Sequence, residues 1–169
     1  AYVDALVLHG PSRSQGLIDD DWEAWRAMEE LKRDGRVRLI GVSNTSLDQL
    51  TTLCQGATVP PAIVQNRCYA RNGWDRSVRA FCESRAMVYQ GFSLLTANAL
   101  ELGQPAVVEM ARRRECTIPQ LVFRFAAEVG MVPLTGTTSE AHMKEDLAAS
   151  KLDIAEDEVR ILEECGLRG

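Results

Sequence analysis

The stretch VRLIGVSN at residues 37–44 is an apolar run that stops at two hydrogen-bonding residues. Val37 to Val42 therefore reads as a strand ending in Ser43-Asn44, and Ser46 just beyond it caps a helix from Leu47 to about Gln55. Upstream, Tyr2 to His9 (YVDALVLH) is a similar run closed by Gly10-Pro11, as expected for a strand buried on both faces of a parallel sheet. Between the two runs, Asp19-Asp20-Asp21 place negative charge at a helix start. Trp22, Trp25, Met28, Glu29 and Leu31 follow at helical spacing before a stop at Gly35, which makes Trp22, Trp25 and Met28 core candidates.

Downstream the alternation continues. Ala62 to Gln65 is a strand after Pro60-Pro61, Trp74 to Arg85 a helix, and Met87 to Phe92 (MVYQGF) a strand. Pro105 opens a helix through Arg114, and Thr117-Ile118-Pro119 opens another that Gly130 ends. Met131 to Leu134 is a fifth strand, Ser139 caps a helix to about Ala149, and Ala155 to Cys165 is a last helix stopped at Gly166. Residues 1–169 read as one domain with no linker.

With 46% apolar and 25% charged residues the chain has the composition of an ordinary globular protein. A net charge of -5 argues against general attraction to nucleic acid or to an anionic membrane. The run Arg112-Arg113-Arg114 closes a helix, where cations complement the dipole. Five dispersed cysteines, Cys54, Cys68, Cys82, Cys116 and Cys165, form no C-x-x-C pair, so reduced packing thiols are expected and no metal site. Neither a membrane-length apolar run nor a signal-peptide pattern is present, and a cytoplasmic chain is the default expectation. The sequence begins at Ala1 in strand-like residues without an initiator Met, so an upstream portion is expected.

Alternating strands and amphipathic helices imply a parallel sheet, open or closed. His9, Ser43, Asn44, Gln65 and Ser93 lie at or just past C-terminal strand ends, the rim on which barrels build their sites. An open sheet gathers its ligand groups at one crevice, and no G-x-G-x-x-G follows any strand here. The expected fold is α/β, a partial (β/α)8 TIM barrel with five of its eight strand-helix units in the chain.

At these residues the chain resembles the aldo-keto reductase superfamily. The resemblance is carried by Tyr2-Val3-Asp4 leading to His9, by Gly41-Val42-Ser43-Asn44, by Gln65-Asn66-Arg67, by Gly91-Phe92-Ser93-Leu94-Leu95, and by the segment from Gly136 to Asp146. It implies hydride transfer between a nicotinamide cofactor and an aldehyde or ketone, without metal. The cofactor implied is NADP, with NAD the alternative. The first visible strand corresponds to the family's fourth. Of the family's catalytic Asp, Tyr, Lys and His, only the His has a counterpart, His9; the others belong to strands that would precede Ala1. An alkoxide formed by hydride delivery needs a proton donor poised near working pH. Tyr2, Tyr69 and Tyr89 do not match the donor's position, so the chain alone is expected to be inactive.

Each site residue has a plain structural alternative. His9 at a rim suits polarising a carbonyl, or is a strand-end histidine satisfied by backbone. Ser43, Asn44 and Gln65 suit a carboxamide, which needs both donors and acceptors, or simply finish turns. By resemblance Phe92 stacks on the nicotinamide ring, and packing in the core is the other reading. Ser93, Leu95 and the residues Thr96-Ala97-Asn98 would approach the pyrophosphate through backbone amides.

Thr137, Thr138 and Ser139 enter a helix whose amides and dipole suit a phosphate, or form an ordinary cap. By resemblance Glu145 and Asp146 lie toward the adenosine, and His142 is near the cofactor or at the surface. Gly136 and His142 stand where many NADPH-preferring members have Lys and Arg, which leaves Lys144 as a substitute cation if it faces the ligand. The loops offer no charged anchor that would select an acid or a sugar. Partners are then a small carbonyl substrate, neither nucleic acid nor membrane, with association through unpaired strand edges. The rival readings are a silent cofactor-binding or interaction module and a half-barrel completed by a partner chain.

Overall fold

A computed structural model describes residues 1–167, as an alternation of five parallel strands and helices. The strand order follows the chain, β1-β2-β3-β4-β5. Backbone contacts divide the described residues into two compact units, residues 1–66 with 77–90, and residues 67–76 with 91–167.

The first unit contains β1 (Val3–Leu8), α1 (Asp19–Arg33), β2 (Val37–Ser43), α2 (Leu47–Gly56) and most of β3 (Ile63–Arg67), α3 (Arg76–Ser84) and β4 (Val88–Phe92). β1 lies parallel to β2 with Leu8 opposite Val42, and β2 lies parallel to β3 with Ser43 opposite Gln65. Gly41 permits that second pairing, because a Cβ there would stand 2.6 Å from the Ile63 carbonyl oxygen. Trp25, Ile40, Val42, Leu50 and Val64 form the core, and the Trp25 indole N–H donates to the Val59 carbonyl at 3.2 Å. Trp22, expected in the core, is only half-buried, because its ring lies over Gly56 at the edge of α2.

β1 departs from the expectation of burial on both faces. Val3 is 51% and Tyr2 58% exposed, since β1 has a neighbour only on its β2 side among the described residues. The start of α1 is fixed by Asp21: its carboxylate accepts from the Ile18 N–H at 2.9 Å and from both the backbone and hydroxyl of Ser12. Burial pushes the Asp21 carboxyl up, but these hydrogen bonds outweigh it and hold the group below the usual aspartate range.

The second unit contains the end of β4, α4 (Ala99–Leu102), α5 (Pro105–Arg113), α6 (Ile118–Glu128), β5 (Met131–Pro133), α7 (Glu140–Ala148) and α8 (Glu156–Glu164). Its core is Trp74, Phe125, Met110, Leu121 and Leu162, with the Trp74 and Phe125 ring centroids 5.3 Å apart. The helix expected from Trp74 begins instead at Arg76. Residues Ala70–Asp75 form a tighter turn in which Gly73, Trp74 and Asp75 all take positive φ, because the Trp74 indole N–H is drawn to the Leu162 carbonyl at 2.8 Å. The arginine run of α5 is ion-paired: Arg112 with Glu109 at 2.7 Å, and Arg114 with the buried Glu158 at 2.5 Å. Cys68, Cys82 and Cys165 are buried free thiols, and burial pushes Cys165 up to about 11. Among the described residues no helix is long and apolar enough to cross a membrane, and no group of three or more His, Cys, Asp or Glu side chains could hold a metal ion.

Candidate functional site

In the first unit, three strand ends carry the polar residues anticipated there. His9 follows β1 and is exposed, and its carbonyl accepts from the Asn44 side-chain amide at 2.8 Å. Asn44 itself sits at φ 49, a left-handed conformation that Asn tolerates better than most residues and that turns its side chain back toward His9. The buried Ser43 hydroxyl donates to the Gln65 carbonyl at 2.6 Å. The Gln65 amide donates to Gln90 Oε1 at 3.0 Å, and the Asn44 backbone N–H donates to the Gln65 carbonyl at 3.1 Å. His9, Ser43, Asn44 and Gln65 are thus brought into one hydrogen-bonded set.

The chemistry of that set fits a carboxamide. Asn44 and Gln65 each commit one side-chain N–H to protein and keep a second N–H and an amide oxygen, while Ser43 keeps acceptor capacity on its hydroxyl. A carboxamide needs one donor for its oxygen and acceptors for its two N–H groups. Gln90 was not anticipated. Its signal was the strand alternation, which puts it on the same face of β4 as Phe92. Asn66 beside Gln65 is occupied elsewhere: its amide bonds both the N–H and the carbonyl of Thr45, locking β3 to the turn after β2.

In the second unit, Phe92 and Ser93 at the end of β4 are half-buried, and Ser93 takes φ 57. The turn beyond them differs from expectation. The backbone N–H groups of Ala97 and Asn98 are used up by the Ser93 and Leu95 carbonyls, so they do not face a pyrophosphate. Asn98 is wholly buried, accepting from the Ala70 N–H at 2.7 Å and donating to the carbonyls of Cys68 and Leu94.

The segment after β5 is built as a cap. Ser139 Oγ accepts from the His142 N–H at 3.4 Å, and Thr137 Oγ accepts from the Ser139 N–H at 3.1 Å. The first-turn amides of Glu140 and Ala141 have no acceptor within the helix, which suits an anion. Thr138 and His142 are exposed, Asp146 accepts from the Thr135 hydroxyl at 2.8 Å, and the Glu145 carbonyl accepts from Gln120. Lys144 is turned to Glu140 at 2.7 Å in an exposed pair. Phe123, Pro133, Thr137, Met143 and Leu147 line a cavity of about 530 Å³ along this segment.

Arg67 and Arg71 both lie over the Tyr69 ring, at 5.6 and 4.5 Å from its centroid. They follow the C-terminal end of β3, and the Cys68 N–H between them donates to the Phe92 carbonyl at 3.1 Å.

The family model described as "Aldo/keto reductase family" matches residues 1–167. Deoxymugineic acid synthase 1-B of Triticum aestivum is 30% identical over 182 residues, covering 96% of this chain and 57% of its own length. The uncharacterized oxidoreductase YtbE of Bacillus subtilis is 26% identical, with 94% and 54% covered. This chain spans about half the length of the curated relatives it matches. Among solved structures, an aldo-keto reductase from a deep-sea metagenome library superposes with a TM-score of 0.87 at 19% identity, covering 99% of this chain and 61% of that one. A Bombyx mori aldo-keto reductase solved in complex with NADP gives 0.82 at 20% identity, with 99% and 59% covered. The fold is the expected α/β type, part of a (β/α)8 barrel, and the chain belongs to the aldo/keto reductase family.

Proposed function

We propose that the chain is a portion of an NADP-dependent oxidoreductase that reduces aldehydes or ketones by hydride transfer. The observation that carries this reading is the set formed by His9, Ser43, Asn44 and Gln65, with donors and acceptors left over to hold a carboxamide at the C-terminal strand ends. A nicotinamide held there would supply the hydride. Ser43, Asn44 and Gln65 fix its orientation, and Phe92 offers a ring face for stacking. His9 offers an imidazole to the carbonyl oxygen, and the amides opening α7 with Thr137, Thr138 and Ser139 take phosphate. Leu95 lies toward the pyrophosphate, and His142, Glu145 and Asp146 toward the adenosine.

NADP is favoured over NAD because relatives of this fold have been solved with it, including the Bombyx mori enzyme. The chain's own residues press less hard, since Lys144 is paired with Glu140. No residue of the chain matches the family's proton-donating Tyr, so the 169-residue chain by itself binds cofactor but does not turn over a carbonyl.

The test is a titration of the purified chain with NADPH and NADH, followed by cofactor fluorescence, with an assay of NADPH oxidation in the presence of an aldehyde. A saturable response without turnover is expected. No response to either cofactor would overturn the binding assignment, and robust turnover abolished in His9→Ala would overturn the assignment of the donor. A second reading, a module completed by a partner chain, is favoured by the exposure of Tyr2 and Val3 along β1.

A further inference from the structure

Gly10 to Leu17, the loop that carries the chain from β1 toward α1, forms neither helix nor strand, and among the described residues no backbone–backbone hydrogen bond joins its members. Side chains hold it instead. The Asp21 carboxylate accepts from Ser12 and from Ile18, which ties the two ends of the loop to α1. Gln49 of α2 holds the middle: its side-chain nitrogen donates to the Arg13 carbonyl at 2.9 Å and to the Gly16 carbonyl at 2.8 Å. Both N–H bonds of that amide are thereby committed, on a side chain only 2% exposed.

The oxygen of the same amide accepts from the Ser46 N–H at 3.1 Å, and the Ser46 hydroxyl accepts from the Gln49 N–H at 3.2 Å, the reciprocal pair that opens α2. Capping needs only an acceptor here. Glu would serve, and would add favourable negative charge at the helix start. What requires an amide is the pair of loop carbonyls, to which a carboxylate cannot donate. Gln49 thus joins two strand-end segments of the first unit, the loop that follows His9 and the turn that follows Ser43 and Asn44. The two segments are in close contact: a Cβ on Gly10 would stand 3.2 Å from the Ser43 carbonyl oxygen, and the Asn44 amide donates to the His9 carbonyl.

We propose that Gln49 is a positioning residue for the carboxamide set: its side-chain amide fixes the loop after His9 against the turn after Asn44, and so sets His9 relative to Ser43 and Asn44. This rests on the reading of those residues as the nicotinamide site. Gln49 acts through the backbone of residues 13–16 and of Ser46, not by touching the ligand. A loop already fixed in the free protein need not be ordered when the ligand arrives, and that saving appears as affinity. Cutting the two donations frees the loop, and the ordering cost returns on binding.

The experiment compares the 169-residue chain with Gln49→Glu, which keeps the acceptor for Ser46 and loses both donations, and with Gln49→Met, which brings no buried charge should the Glu variant fail to fold. Leu53→Ala, a buried position on the same helix, is the control that lowers stability without touching the loop. Two quantities are read by NMR: the affinity for reduced nicotinamide mononucleotide, and the side-chain amide signal of Asn44. Each Gln49 variant should weaken the nucleotide about tenfold and shift the Asn44 signal, while Leu53→Ala changes neither. An Asn44 signal unmoved in both Gln49 variants, or moved as far in Leu53→Ala, overturns the proposal. The two readings fail separately. Shifted Asn44 signals in a chain that does not bind the nucleotide sink the cofactor reading and leave Gln49 setting His9; unchanged affinity in both Gln49 variants of a chain that binds it sinks this inference alone.

Discussion

The side-chain amide of Asn98 donates to the Cys68 carbonyl at 3.0 Å, and through this bond the turn after β4 holds the turn after β3. The same side chain serves Leu94 and Ala70, so all three of its strong bonds are made without solvent. Asn98→Ala strands one buried N–H and two carbonyls and should cost about 3 kcal/mol, read as a lowered urea midpoint. Asn98→Asp should cost as much or more, because a carboxylate cannot donate to the two carbonyls. An unchanged midpoint in either variant would remove this clamp from the account.

Glu158 lies 44 residues from Arg114 in sequence and accepts from both its Nε and its terminal nitrogen. The Arg114 hydrogen bond, against the opposing effect of burial, holds the Glu158 carboxyl below the usual glutamate range. A depressed carboxylate adds stability above its unfolded pKa, and loses it as pH falls through the lower folded value. Stability should therefore decline as pH drops below about 4.3, the unperturbed glutamate value, and Glu158→Gln should flatten part of that decline while lowering stability near neutral pH. Melting temperatures measured across that range decide it.

At Gly41 a Cβ would approach the Ile63 carbonyl oxygen at 2.6 Å and the Ile63 Cβ at 2.9 Å. Backbone cannot retreat as a flexible side chain can, so β2 and β3 must separate or bend. Gly41→Ala should cost about 2–3 kcal/mol and move Ser43 away from Gln65, weakening NADPH binding as well as folding. Gly136 is the opposite case, with nothing within 4 Å of a Cβ, and Gly136→Ala should leave the melting temperature unchanged.

That open space gives a test of cofactor preference. Gly136→Lys together with His142→Arg places two cations at the start of α7, next to a helix dipole that already favours anions. The double variant should raise affinity for NADPH over NADH by about tenfold, measured by paired fluorescence titrations at fixed ionic strength. An equal gain for both cofactors would mean that this helix start faces some other group.

For the carboxamide set, Gln65→Ala should weaken cofactor binding by about tenfold, since one amide supplies both a donor and an acceptor. Asn44 carries a second constraint. At φ 49 an alanine is strained where glycine is not, so Asn44→Gly should fold better than Asn44→Ala while both lose the bond to the His9 carbonyl. Chemical denaturation separates the strain from the binding loss.

The amino-acid sequence by itself determined the strand-helix alternation and the helix starts, because these obey rules acting over three or four residues. Ser46, Thr117 and Ser139 each accept from the amide three positions on, as their residue types require, and Gly35 and Gly130 take the positive φ that ends a helix. It also marked His9, Ser43, Asn44 and Gln65, since strand ends are visible in a run of apolar residues. Tertiary structure alone decided the rest. The pairing of Gln65 with Gln90, the clamp by Asn98 and the ion pair of Arg114 with Glu158 join residues 25 to 44 positions apart, and strand register or helix packing sets them rather than any local pattern. Tertiary packing likewise drew Trp74 out of a helix by offering its indole the Leu162 carbonyl, and it set the guanidiniums of Arg67 and Arg71 over the Tyr69 ring. In β1 the residue pattern promised burial, but burial also needs a neighbour on each side, and the described residues supply one.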